Sequence, residues 1–370
     1  MKIDDLEMEY QAHECSLVPA GDGFLISPEI DSIMDLMRLN KTVVEVVQSD
    51  AVLFADRAQL RPDRTAYVSS PIGLKLIECL KLDFGRVHRD FPVHSFNPYL
   101  EVFFNVYRRN PVSQFSVDNL SAYWLNVFVE DLRGEAKRAN VVSLLANHRR
   151  GSLKNSRKAV DRLERMFEDY PKLLLCRIDL AYKKSLLQGN QALPSGAEIK
   201  ADFEKLMRHV RRSFPGKILG YMWTLEFGAF KGPHYHVLFV FDGGRVRQGV
   251  TISRIIGEHW ENVITNGRGS YFNVNTRERF LESRGKRGIG LISRRDLARR
   301  QNAANMVLYL TKVDFFVRVV LPGITKTFGC SQFKQREKSN SGRKRKPSKL
   351  TAGLAAIRAR RGNVTRYLPH

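Results

Sequence analysis

The stretch from His234 to Phe241 constrains the fold of this 370-residue chain more than any other part of its sequence. From Val237 onward the stretch is entirely apolar, and such a short run is typical of a buried strand. Because a strand points its side chains alternately to its two faces, His234 and His236 share one face. Tyr235 and every second residue after it share the other. We therefore expect one strand to carry a core on one side and two imidazoles on the other.

A second strand supplies a carboxylate to the same face. The strand-like segment ending at Phe227 is followed by Gly228 to Pro233, whose glycine and proline content favours a hairpin. This hairpin would place Glu226 opposite the two histidines. A carboxylate inside an apolar strand is costly unless it is paired or metal-bound. Glu226, His234 and His236 therefore predict a divalent metal site, and we expect Mn or Mg, although the mixed ligand set also suits Zn.

Asp179 is the alternative third ligand, because it also interrupts an apolar strand. We favour Glu226, since the hairpin makes it a direct cross-strand neighbour of the histidines. Arg177 lies on the same strand face as Asp179 and could simply pair with it.

The segment from Asp296 to Phe316 can form a helix that carries a candidate nucleophile. Tyr309 and Lys312 are three residues apart, so they share a face of that helix. A tyrosine hydroxyl has an ordinary pKa of about 10 and attacks poorly until a cation favours the phenolate. Lys312 could supply that cation. An ordinary amphipathic helix face is the alternative interpretation of this pair.

Together these segments resemble the HUH endonuclease superfamily of rolling-circle replication initiators, and most closely its inovirus-type members from filamentous phages and phage-derived bacterial elements. The resemblance covers residues 170–333 and consists of the strand 171–180, the Glu226 strand, the His234 to His236 motif, and Tyr309 to Lys312. It implies that Glu226 and the two histidines bind the metal. It also implies that Tyr309 attacks a DNA phosphate, which forms a 5′-phosphotyrosine link and releases a 3′-OH. Only one tyrosine fits the nucleophile motif.

The order of predicted elements indicates the fold. The elements are strand 172–182, helix 197–214, strand 218–227, strand 234–242, helix 251–265, strand 270–275, strand 288–293 and helix 295–313. This βαββαβ order with extra elements predicts an α+β fold with a ferredoxin-like, split βαβ antiparallel sheet of the HUH type. We divide the chain into a mainly helical accessory region (1–165), an HUH endonuclease domain (166–333) and a basic tail (334–370), which we expect to be disordered.

The charge distribution predicts a nucleic-acid partner for the second half of the chain. The formal net charge is +23. Residues 1–170 hold 22 Lys/Arg and 25 Asp/Glu, a net of −3, whereas residues 171–370 hold 39 and 13, a net of +26. Such a one-sided basic charge is typical of proteins that neutralise phosphates. The candidate DNA contacts are Arg294, Arg295, Arg299 and Arg300 near the last helix and Arg343, Lys344, Arg345 and Lys346 in the tail.

We expect single-stranded or origin DNA as the partner. No P-loop motif is present, so a replicative role would need a helicase in trans. No long apolar span exists, and the acidic start is not a signal peptide, so we expect no membrane and the cytoplasm of a bacterial host. Two alternatives remain: a non-catalytic DNA-binding regulator on the same fold, and a primase-like polymerase. The polymerase would need paired carboxylates, and the strand around Asp179 offers one.

Overall fold

The computed structural model describes residues 17–20, 23–26, 30–56, 67–183, 194–228, 232–311, 317–320 and 322–333. The first part of the chain is mainly helical. Its helices are α1 (Ile30–Gln48), α2 (Pro71–Leu80), α3 (Phe84–Asp90), α4 (Pro98–Arg109), α5 (Ala122–Arg138) and α6 (Val141–Asp169). Its short strands are β1 (Leu17–Ala20), β2 (Gly23–Ile26), β3 (Phe54–Asp56), β4 (Tyr67–Ser69) and β5 (His94–Phe96).

The second part alternates strands and helices. Its strands are β6 (Lys172–Tyr182), β7 (Ile218–Gly228), β8 (Gly232–Asp242), β9 (Gly269–Asn273), β10 (Gly290–Ser293), β11 (Val317–Val319) and β12 (Phe328–Cys330). Its helices are α7 (Gly196–Ser213), α8 (Gly249–His259, followed by a π-helical turn to Ile264), α9 (Glu278–Ser283) and α10 (Leu297–Leu310). All eight elements predicted for this part are present, and the expectation of an α+β chain with an antiparallel sheet is confirmed.

Local sequence signals explain where these elements begin. Ser195 and Glu198 form a reciprocal capping box at the start of α7, which satisfies two backbone N–H groups that the first helical turn leaves without partners. Apolar residues then recur at helical spacing, and Ile199, Leu206 and Val210 of α7 are fully buried. Asn97 caps α4 through its side-chain oxygen, which accepts hydrogen bonds from the backbone N–H groups of Tyr99 and Leu100.

The large sheet has the strand order β10–β6–β8–β7–β12, and β9 also pairs with β6. Every pairing in it is antiparallel. Since β8 is antiparallel to both β6 and β7, these two strands run in the same direction, are joined through α7, and have β8 between them.

The two faces of the sheet have different coverings. On one face, α7 and α8 pack against the apolar side chains of the central strands, where Phe203 stacks on Tyr235 with ring centroids 4.2 Å apart. On the other face lies α6. A Cβ on Gly220 of β7 would lie only 2.7 Å from Cε of Met166, so a side chain at this position would have to displace the end of that methionine. The histidines of β8 point to the α6 face.

Helix α6 also holds α10. Glu164 pairs with Arg300 in a buried ion pair, and the hydroxyl groups of Ser156 and Thr311 lie 2.6 Å apart. The boundary that we drew at 165/166 therefore falls inside a helix that packs against the sheet. Among the residues that the structure describes, no helix is both long and apolar enough to span a membrane.

The helices before α6 have a hydrophobic core of their own. Its fully buried side chains include Leu36, Leu76, Phe103 and Phe128. This core is separate from the apolar cluster under α7 and α8. A strand before α6 also pairs with the second part of the chain: β5 pairs with β11, so that His94 lies opposite Val319.

Candidate metal centre

Three adjacent strands bring four ionisable side chains to the α6 face of the sheet. In the β7–β8 hairpin, Glu226 pairs with His234, as the sequence predicted. On the other side of β8, Asp179 of β6 pairs with His236. Cross-strand neighbours of this kind lie within contact distance on one face, so the register alone brings these four side chains together.

Glu226 sits between the two imidazoles. Its Oε2 atom lies 3.4 Å from Nε2 of His234 and 3.3 Å from Nε2 of His236. The two histidines are 6% and 7% exposed. One ligand atom from each of the three residues can be chosen so that all lie within 4.8 Å of one another, which is close enough for a single metal ion.

The donor set fits a divalent cation. Oε1 of Glu226 is buried and makes no hydrogen bond within the described part of the chain, which leaves a negatively charged oxygen without a donor. Buried polar atoms normally have a partner, so this oxygen fits the role of a cation ligand. A single carboxylate with two imidazoles leaves further coordination positions open, as in metal sites that act on substrates.

The orientation of His234 is fixed by the backbone. Gly232 begins β8 with φ of +62°, a left-handed conformation that glycine adopts without strain. Its carbonyl oxygen lies 3.0 Å from Nδ1 of His234. With a hydrogen on Nδ1 donated to this carbonyl, the lone pair is left on Nε2, the atom that faces Glu226.

Asp179 orients the second histidine from the opposite ring nitrogen. Its Oδ1 lies 2.7 Å from Nδ1 of His236, while the Nε2 side of the ring faces Glu226. Arg177 lies 3.3 Å from the same oxygen, so the expected pairing of Arg177 with Asp179 is present. A carboxylate on the far nitrogen of a ligating imidazole is the usual second partner of metal-bound histidine. The geometry thus favours Glu226 as the metal ligand and Asp179 as the residue that orients the ring of His236.

The charges of this cluster reinforce one another. Burial opposes the charge of His236, yet Asp179 and Glu226 together raise its pKa to about 9. Burial likewise acts to raise the pKa of Glu226, but the two histidines outweigh it and hold that pKa well below the ordinary value. Without a metal, His236 is therefore protonated at neutral pH between two carboxylates. A metal has to displace that proton from Nε2.

His94 also lies near this cluster, although it is far from these residues in the sequence. Its ring lies 6.0 Å from that of Phe227, the residue after Glu226. Burial lowers the pKa of His94 to about 4, despite the raising effect of the Phe227 and Phe91 backbone and the Glu226 charge. It is therefore a neutral neighbour of the centre. No motif links it to residues about 130 positions away, so only the pairing of β5 with β11 could reveal it.

The candidate nucleophile is described only in part. Tyr309 lies in the last turn of α10, the helix held by α6, but its side chain is outside the described residues. Lys312 lies outside them altogether, as do the tail residues Arg343, Lys344, Arg345 and Lys346.

The four arginines near α10 are in different environments. Arg295 is exposed, and Arg294 contacts the carbonyl oxygen of Glu168 at 3.5 Å. Arg299 pairs with Glu282 at 3.0 Å and with Asp296 at 3.5 Å. Arg300 is 5% exposed and its guanidinium is bound by Glu164 and by the Arg294 carbonyl. We therefore withdraw Arg300 from the candidate DNA contacts, because its charge is neutralised inside the protein.

Comparison with known families gives a match. The model of the YagK/YfjJ C-terminal domain matches residues 136–331, more than half of the chain. The chain belongs to this family. The matched region begins just before α6 and contains the whole large sheet and all members of the metal centre. No curated protein and no solved structure matches the chain.

Proposed function

We propose that this YagK/YfjJ-family protein nicks and joins single-stranded DNA through a metal-dependent, HUH-type reaction with a 5′-phosphotyrosine intermediate. The observation that carries the proposal is the cluster of Glu226, His234 and His236 on one face of the sheet. In this role the protein would initiate rolling-circle replication of a phage or mobile element.

The sheet supports the proposal. Strands β6 and β7 are parallel, are joined through a helix, and are separated by an inserted antiparallel strand. This arrangement is the one expected of a split βαβ unit, and with α8 and β9 the elements follow the βαββαβ order of the ferredoxin-like fold that we propose. Helices α7 and α8 cover one face, and the ionisable residues lie on the other, which α6 crosses.

Each residue of the centre has a defined task. His234, His236 and Glu226 would hold the ion, and Asp179 would fix the ring of His236. Mn or Mg is the ion we propose, and it would polarise an oxygen of the scissile phosphate. Because both histidines are buried, little water can compete for the metal at their end of the site.

Tyr309 would perform the covalent step. Its Oη forms a bond to phosphorus while the bond from phosphorus to the 3′ oxygen breaks. The phenol loses its proton, and the departing 3′ oxygen gains one to become a 3′-OH. The phosphotyrosine keeps the energy of the original phosphodiester, so a 3′-OH can reverse the step without ATP. Lys312 would favour the phenolate by its positive charge.

The proposal also includes partners. The net charge of +26 on residues 171–370 suits single-stranded or origin DNA. A helicase in trans would supply the unwinding activity, and the bacterial cytoplasm is the compartment in which such a reaction would take place.

An adduct assay tests the proposal. The full chain is incubated with labelled single-stranded origin-region DNA and Mn or Mg, and covalent protein–DNA adducts are separated under denaturing conditions. We expect adducts with the wild type and none with Tyr309→Phe, His234→Ala or His236→Ala. Tyr123→Phe, at a tyrosine that is 65% exposed in α5, is the matched control and should retain them. Adducts in Tyr309→Phe would refute the assignment, and site-specific binding without any adduct would favour the regulator.

A further inference from the structure

We infer that the outward face of α6 is a track for the backbone of single-stranded DNA next to the metal centre. This inference rests on the proposed function, because it takes DNA as the substrate. We call the five residues Arg150, Lys154, Arg157, Lys158 and Arg165 the basic ridge.

The basic ridge follows from the helical repeat. Successive residues of an α-helix are rotated by about 100°, so positions 150, 154, 157, 158 and 165 fall within an arc of about 100° on α6. All five side chains are exposed. Two acidic residues, Asp161 and Glu168, share this arc.

The opposite side of the same helix is fixed against the protein. Ala159, Leu163 and Met166 are buried, and Arg162 donates to the carbonyl oxygens of Cys330 and Ser331. The ridge is different: within the described part of the chain, none of its five side chains forms an ion pair with a carboxylate. Its charges are therefore displayed on a rigid support and are not used in folding.

The ridge lies near the proposed reaction. Ser156 is in the middle of the ridge segment, on the inner side of the helix, and its hydroxyl is 2.6 Å from that of Thr311. Thr311 is two residues after Tyr309. From Arg150 to Arg165 the helix rises by about 22 Å, and a DNA strand has one phosphate for about every 3.4 Å of duplex axis, so several consecutive phosphates can follow it.

Charge complementarity identifies the occupant. Residues 1–170 carry a net charge of −3, yet residues 149–165 hold seven Lys/Arg against two Asp/Glu, a net of +5. This local excess lies in the part of the chain that the family match includes. An anionic membrane would require an apolar helix face to insert beside the charges. Beside most of the ridge, the apolar side chains Leu163, Met166 and Phe167 of α6 are already buried in the protein, so a polyanion such as DNA fits better.

The test compares two triple variants of the full chain. Lys154→Gln/Arg157→Gln/Lys158→Gln removes three charges from the ridge. Lys200→Gln/Arg208→Gln/Arg212→Gln removes three exposed charges from α7, on the other face of the sheet. Glutamine has nearly the same helix propensity as lysine and arginine, so both helices should persist. Circular dichroism and thermal melting verify this.

Binding of a labelled thymine homopolymer is measured by fluorescence anisotropy in EDTA at several salt concentrations. Each lost phosphate contact reduces the log-log salt slope by about 0.7, so the ridge variant should lose about 2 in slope and bind on the order of 50-fold more weakly at about 0.15 M salt. The α7 variant should bind nearly as the wild type does.

Three results would overturn the inference. The ridge variant could bind the homopolymer as the wild type does, or both variants could lose the same binding affinity. The third is a ridge variant that binds anionic phospholipid vesicles more weakly but binds the homopolymer normally. EDTA prevents metal-dependent chemistry, so binding is separated from the adduct assay. Adducts formed by a ridge variant that binds normally would refute the track and leave the proposed function standing. If the ridge variant binds DNA more weakly but even the wild type never forms adducts, the track is supported and the proposed function is refuted.

Discussion

Replacing Asp179 with asparagine tests whether this carboxylate supports the metal centre or belongs to it. We expect Asp179→Asn to weaken Mn binding without abolishing it, because Glu226 and both histidines remain. Glu226→Gln is the matched comparison, since it makes the same change from carboxylate to amide on the ligand side. It should reduce Mn binding much further, because it removes the carboxylate ligand of the cluster.

The expected size follows from the contact between Asp179 and His236. Its 2.7 Å distance is that of a strong hydrogen bond with charged partners. Such bonds contribute about 1.5 to 3 kcal/mol, and about 1.4 kcal/mol corresponds to a factor of ten, so its loss should weaken binding by about 10- to 150-fold. Loss of an outer partner of a ligating histidine costs about 10- to 100-fold in metal proteins. An asparagine oxygen can still accept from Nδ1, so we expect the lower end of the range.

Isothermal titration calorimetry with Mn, at a pH where the wild type binds well, measures both variants. Circular dichroism verifies that Asp179→Asn remains folded, since Arg177 loses its paired charge. The reasoning is refuted if Asp179→Asn abolishes binding while Glu226→Gln retains it, because Asp179 would then be the ligand. It is also refuted if Asp179→Asn binds Mn as tightly as the wild type.

Further predictions concern the protonation of the centre and the packing of α10. Because the pKa of His236 is raised to about 9, Mn must displace its proton, so affinity should increase by up to about tenfold for each pH unit from about 7 to 9; calorimetry at several pH values measures this, and a flat profile would contradict it. The raised pKa of His236 also stabilises the metal-free fold. This stabilisation is complete below the ordinary pKa of about 6.5 and is lost as the pH rises through about 9. Urea midpoints should therefore fall over that pH interval in the wild type, and fall less in His236→Gln. Glu164→Gln should lower the free energy of unfolding by about 3 to 5 kcal/mol, because Arg300 keeps its buried charge without a partner. Urea denaturation measures that loss, and Glu164→Leu/Arg300→Met should recover much of it if the unpaired charge is the cause.

The hairpin and its two histidines could be predicted because their signals are local. Alternation assigns side chains to faces, and a short connection containing glycine and proline sets which residues of β7 and β8 face each other. Glu226 was placed beside His234 on this basis, and the observed register agrees. The strand around Asp179 was also predicted with the bounds that it has, 172–182.

The features that could not be predicted depend on pairing between segments that are far apart in the sequence. Whether Asp179 meets Nδ1 or Nε2 of His236 depends on how β6 pairs with β8, and these strands are separated by about 50 residues that include α7 and β7. Arg300 looked like a phosphate contact because arginines surround it. Its partner, Glu164, is 136 positions away in another helix, and nothing in the local pattern indicates it.

Helix α6 shows why the sheet and the segment before it act as one structure. Its inner residues Leu163 and Met166 are fully buried on the face of the sheet that carries the histidines, and its polar side chains Ser156 and Glu164 hold α10. Removing α6 would expose that apolar face and release the helix that carries Tyr309. A structural unit for the metal centre therefore has to begin before α6, and the family match begins at residue 136, in the helix that precedes it. The basic ridge then belongs to the same unit as the ligands, which is the arrangement that a strand bound along α6 and cleaved at the centre would require.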